Sequence, residues 1–116
     1  MKKVVLNKCY GGYGLSKEAY EFLGIPWDGY GYAYSDDRDN PQLIACVEKL
    51  GVKASGPFAE LTVEEYDDYN YTYYISEYDG FEGLEMTPVV HKSKLIKLSV
   101  NEIVKYLTSL HITVVD

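Results

Sequence analysis

The sequence predicts an α+β fold: a compact single domain with a small, mostly antiparallel sheet and about three helices. Three observations carry this expectation. Residues 58–66 and 69–78 are rich in Tyr, Thr, Val and Ile, alternate in polarity, and flank an Asp67-Asp68 turn. Leu43, Ile44, Val47 and Leu50 recur at helical spacing between Asn40-Pro41 and Gly51. Val100, Ile103, Val104, Leu107 and Leu110 repeat the helical spacing behind Ser99-Val100-Asn101-Glu102, which has the spacing of a capping box.

Taken in order, residues 3–8 read as a short strand rich in Val and Leu, followed by the glycine-rich loop Cys9-Tyr10-Gly11-Gly12-Tyr13-Gly14-Leu15. Ser16 is placed to cap a helix over 17–23, with Gly24 as its stop and Pro26 just beyond. Residues 25–40 read as a loop. Asn40 caps and Pro41 begins a second helix that ends at Gly51, since proline's missing N–H costs nothing in a first turn. Ser55-Gly56-Pro57 breaks the chain before the two strands. Asp79-Gly80 is a turn, residues 84–91 add a third strand edged by Pro88, and Ile112 to Val115 close as a further strand. No repeat, linker or low-complexity tract divides residues 1–116, so one domain accounts for the chain.

Composition narrows the function classes. Apolar residues make up 47% and charged residues 25%, which is globular rather than disordered. No apolar run approaches the roughly 20 residues of a membrane helix. The three-residue apolar stretch after Met1-Lys2-Lys3 is too short for a secretory signal, so the cytoplasm is the expected compartment. Two separated cysteines, Cys9 and Cys46, then read as thiols. The net charge of −7 is unevenly spread: residues 36–85 hold thirteen acids against Arg38, Lys49 and Lys53, a balance of −10, while both flanks are slightly positive. A field of that sign repels nucleic-acid phosphates and attracts basic surfaces, which excludes direct nucleic-acid binding.

No complete catalytic set can be assembled. Gly12-x-Gly14-x-x-Lys17 lacks the third glycine of a dinucleotide fingerprint and the G-K-[ST] of a P-loop, so the loop reads as a tight turn rather than a phosphate cradle. Cys9, beside Lys8 and ahead of a helix, has surroundings that lower a thiol pKa, but His91 and His111 have no spacing that makes either its base. The local pairs of a zinc motif are missing. A mixed metal site from Cys9, Asp79, Glu82 and His91, holding a zinc ion, is the alternative reading, and with it a metal- or thiol-dependent enzyme or small-ligand binder.

Thirteen tyrosines are the unusual feature. Tyr30, Tyr32 and Tyr34 alternate, as do Tyr69, Tyr71 and Tyr73, which puts each set on one side of an extended chain. Tyrosine is a rigid interface anchor, and tyrosines interleaved with carboxylates suit a surface that grips Lys and Arg. The expected partner-binding residues are Tyr30, Tyr32, Tyr34, Asp36, Asp37, Glu64, Glu65, Asp67 and Asp68.

The segment Asn7-Lys8-Cys9-Tyr10-Gly11-Gly12-Tyr13-Gly14-Leu15-Ser16 resembles a widespread family of small phage and prophage proteins that open with N-K-C-[FY]-G-G-[FY]-G-L-S. The likeness continues in Arg38-Asp39-Asn40-Pro41, Val47-Glu48-Lys49-Leu50-Gly51, Ala59-Glu60-Leu61-Thr62-Val63 and Glu77-Tyr78-Asp79-Gly80-Phe81-Glu82, covering roughly residues 3–91. Family members close with His-Arg-x-Trp. Here His91 is followed by Lys92-Ser93-Lys94, and residues 95–116 form an appended helix and strand. The resemblance implies phage origin and brings no activity with it. Together with the acidic, tyrosine-rich centre it leads to the expectation of a non-enzymatic inhibitor that imitates nucleic-acid charge and blocks a basic host defence protein. An anti-CRISPR acting on a Cas nuclease such as Cas9 is its most concrete form. A plain phage accessory protein is the third reading.

Overall fold

The computed structural model describes residues 1–91 and 113–115. Strand β1 (Lys2–Asn7) pairs antiparallel with β2 (Leu61–Tyr66), Val5 facing Val63. Val4, Val5 and Leu6 run consecutively because both faces of this ribbon are covered, and a doubly buried strand has no polar side to present. Val5 and Leu61 pack under the helices, whereas Val4, Leu6 and Tyr66 pack against Tyr73, Ile75 and Leu84 of a second pair of strands. The described residues therefore form three layers, with helices, ribbon and hairpin stacked in that order.

Helix α1 (Lys17–Leu23) starts where the Ser16 hydroxyl accepts a bond from the Ala19 N–H and stops at Gly24, which takes the left-handed conformation. Helix α2 (Pro41–Leu50) is capped by Asn40, whose side-chain oxygen accepts from Gln42 N at 2.8 Å. A 3-10 turn over Gly51–Ala54 follows it. Leu43, Cys46 and Val47 bury one stripe of α2 against Leu15, Ala19 and Tyr20. Burial pushes the Cys46 thiol above its ordinary pKa, as befits a core residue.

The second pair is a hairpin of β3 (Tyr71–Tyr78) and β4 (Phe81–His91), Ile75 facing Leu84. Asp79 and Gly80 both have positive φ, as a two-residue turn between right-twisted strands requires. Strand β4 starts three residues earlier than the sequence suggests, because the tight turn carries pairing straight through to Tyr78 and Phe81. Its end pairs in parallel with β5 (Thr113–Val115), Val89 facing Thr113.

Two features differ from expectation. The described strands form two sheets, β1-β2 and β3-β4-β5, rather than one. Among the described residues there are two α-helices, and the helix expected over 100–110 lies outside them. The division into two sheets has a local cause. On the side of β1 away from β2, the Val5 N–H donates to Arg38 O at 2.9 Å and the Asn7 N–H donates to a Glu82 carboxylate oxygen at 2.7 Å. A loop carbonyl and a side chain thus occupy the edge where a third strand would add, and the hairpin is left to cover the face.

Candidate partner-binding site

The strongest polar constellation holds the fold together. Arg38 and Glu82, both buried, form a two-pronged ion pair at 2.5 and 2.7 Å. Arg38 also donates to Ser35 O and lies 3.9 Å from the centre of the Tyr13 ring. Burial raises the Tyr13 hydroxyl pKa well above its ordinary value, against the opposing pull of the Arg38 charge. Three segments distant in sequence (β1, the 35–38 loop and the hairpin turn) meet at this pair.

The glycine loop is part of the same knot. Asn7 is fully buried; its amide donates to Cys9 O and Gly80 O, and its side-chain oxygen accepts from Glu60 N. A Cβ on Gly80 would collide with the backbone of Tyr10 and Gly12, and one on Gly11 with the backbone of Phe58. At Gly11 and Gly80 backbone thus lies on backbone, whereas a Cβ at Gly12 or Gly14 would meet nothing.

The four candidate metal ligands are not brought together. Glu82 is engaged by Arg38 and Asn7, a correction to its expected role that follows from the buried guanidinium beside it. His91 lies nine residues further along the same strand, about 30 Å away at strand rise. Its Nε2 is 3.0 Å from Tyr69 O, and its ring stacks on Tyr69 at 4.0 Å. Asp79 shapes the hairpin turn, and Cys9 is half-buried in the glycine loop. Among the described residues no three His, Cys, Asp or Glu side chains cluster as a metal would need.

The expected partner-binding residues separate into two places. Asp36 and Asp37 are exposed on the loop that runs beside β3. There Asp36, Tyr73 and Glu77 line a shallow depression of about 330 Å³ whose floor includes the Arg38–Glu82 pair. Tyr66 and Tyr73 meet edge to face at 5.1 Å. Burial pushes the Tyr73 hydroxyl up to about 12, and the nearby Asp39 and Asp37 carboxylates push the same way. Tyr66 is raised by burial and then by Asp68 and Asp39. Carboxylates from residues 36–39 and 68 thus surround one tyrosine pair.

Other members of the set do local work. Asp67 ties its own turn, accepting from Tyr69 N, Asn70 N and the Asn70 side chain, so its pKa is held below the ordinary value. Glu64 is 3.6 Å from the Lys8 ammonium, and Glu65 is exposed on the opposite side of β2. Asp68 lies 3.1 Å from the Met1 amino group. Tyr34 is half-buried with φ of 61°, its hydroxyl 3.1 Å from the Gln42 side chain. Sequence reading missed Tyr66, Tyr73, Asp39 and Glu77 as members of the acidic face. The alternation of Tyr71 and Tyr73 was a signal for one of them, but it did not tell which neighbours the fold would supply.

Tyr30 and Tyr32 sit elsewhere, stacked within 7° of parallel at 5.8 Å. With Trp27 and Phe58 they rim a cleft of about 310 Å³ walled by Tyr13 and floored by glycines of the 11–14 loop. Asp28 organises this rim: one oxygen accepts from Tyr30 N and Gly31 N, the other from Tyr32 N and the Tyr20 hydroxyl. The backbone bonds from Gly31 and Tyr30 hold its carboxyl down at about 2. Among the described residues no helix is long and apolar enough to cross a membrane. In comparisons with known proteins, no family model, no curated protein and no solved structure matches the chain.

Proposed function

We propose that this protein is a phage-encoded binding protein that occupies a basic, nucleic-acid-binding surface of a host defence protein in the bacterial cytoplasm, most concretely a Cas nuclease such as Cas9. The reading rests on one observation: Asp36, Asp37, Asp39, Asp68 and Glu77 gather around the Tyr66–Tyr73 pair and the outer part of β3. The inward-facing tyrosine pair gives the surrounding carboxylates a rigid base, and together they present a field opposite in sign to that of a nucleic-acid groove. Such grooves are lined with positive charge that tracks a phosphate backbone, which a cluster of carboxylates can engage instead.

Inhibition of DNA cleavage by guide-loaded Cas9, measured across a salt series, tests the proposal. Inhibition that weakens as salt rises supports it, because ion pairs at a wet interface are screened. Cleavage unaffected at every salt concentration, together with no complex in a pulldown of other Cas nucleases, would remove it.

A further inference from the structure

The aromatic cleft holds Tyr30 and Tyr32 and lies apart from the depression lined by Asp36, Tyr73 and Glu77. Its rim is Trp27, Tyr30, Tyr32 and Phe58, and among the described residues its lining contains no charged side chain. Tyr30 and Phe58 are more than two-thirds exposed, Tyr30 with one face stacked on Tyr32. Beside the rim, Asp28 is solvent-exposed and is tied by four accepted bonds to the Tyr30–Tyr32 backbone and the Tyr20 hydroxyl.

We infer that this cleft is a binding site for the guanidinium group of an arginine presented by a protein partner. Aromatic faces carry negative electrostatic potential, and a carboxylate fixed beside them adds to it, so the cleft favours a cation over a neutral guest. Two of its rings already pair with cations, the Lys17 ammonium 5.7 Å from the centre of Trp27 and the Arg38 guanidinium 3.9 Å from that of Tyr13, which leaves Tyr30, Tyr32 and Phe58 to a guest. Arginine fits better than lysine because its charge is planar, delocalised and weakly hydrated, and it stacks on rings. A guest does not slide between Tyr30 and Tyr32: two stacking contacts of about 3.5 Å each need more than their 5.8 Å separation. It lies on the cleft side of the pair, between the tyrosines and Phe58. The glycine floor admits it, having no side chains to fill the space. This deepens the reading above by giving a basic partner's arginine a seat distinct from the acidic face.

The test needs no partner. Trp27 is the only tryptophan, so its indole N–H gives one assignable signal in a spectrum of the ¹⁵N-labelled full chain. Titration with N-acetyl-arginine amide is expected to shift that signal saturably. N-acetyl-citrulline amide, the same shape without charge, should bind about fivefold more weakly or worse. Tyr32→Phe should retain binding and Tyr32→Leu should lose most of it. Phe58→Ser, at an exposed position, gives the same readout if Tyr32→Leu disturbs the fold. Equal binding of citrulline amide would mark a site for neutral groups, and unchanged arginine binding in both Tyr32→Leu and Phe58→Ser would place binding elsewhere. Either result overturns the inference, and neither touches the salt-dependent inhibition that tests the acidic face.

Discussion

At the scale of single residues, the fold depends on a pair that no local pattern announces. Arg38 and Glu82 are 44 positions apart, and each looks in sequence like one more charge in an acidic stretch. Burial changes their weight. Removing one partner strands the other charge away from water, so Arg38→Met or Glu82→Leu alone should cost about 3–5 kcal/mol in denaturant unfolding. The double replacement should cost less than the sum of the two, because it leaves no orphan charge. Additive losses would show that the pair is not the coupled unit described. Glycines at the turns divide in the same way. Gly29 and Gly80 both have φ near 90°, yet only Gly80 lies against other backbone. Gly29→Ala should cost about 1 kcal/mol, the ordinary penalty for a left-handed alanine. Gly80→Ala should cost clearly more, and equal thermal midpoints for the two would contradict the backbone contact. Sequence suggests a turn at Asp79-Gly80, but not that the turn is pressed onto the glycine loop.

At the scale of elements, local chemistry was legible and pairing was not. Both described helices begin and end at their capping signals because those signals act within four residues. The hairpin followed from its Asp-Gly turn. The separation into two sheets could not be read, since it depends on a loop carbonyl and a carboxylate closing the edge of β1. Which tyrosines are core was equally hidden, because alternation says which residues share a side but not what lies against it. Tyr66 and Tyr73 went inward, while Tyr74 and Tyr78 on β3 stayed exposed. The inward tyrosines make a pH prediction. Tyr13, Tyr20, Tyr66 and Tyr73 all have raised hydroxyl pKa values in the fold, led by burial. The native state holds these protons after an unfolded chain would release them. Stability is therefore unaffected by these groups below pH about 10 and falls as pH rises beyond it, through the Tyr73 value of about 12. Phenolate absorbance should show these four ionising late, together with unfolding. Their ionisation at the ordinary value, with the fold intact, would contradict the packing.

At the scale of the whole molecule, sequence located the charge but not its geometry. The excess of acids in residues 36–85 was plain, and its sign pointed to a basic partner. Sequence alone could not show that Asp36, Asp37 and Asp39 would lie beside β3 while Tyr30 and Tyr32, a few residues earlier, would turn to another cleft. Asp67 also ties its own turn, so changing it would disturb local structure as well as charge. The decisive measurement is a comparison of charge-reversed proteins in binding to guide-loaded Cas9. The variant Asp36→Lys, Asp37→Lys should lose about tenfold or more in affinity at moderate salt, as expected when attraction becomes repulsion. A control reversing Glu18 and Glu21 on α1 changes the net charge by the same amount and should stay within about twofold. Equal losses in the two proteins, or no loss in either, would contradict an acidic tyrosine face as the seat of binding.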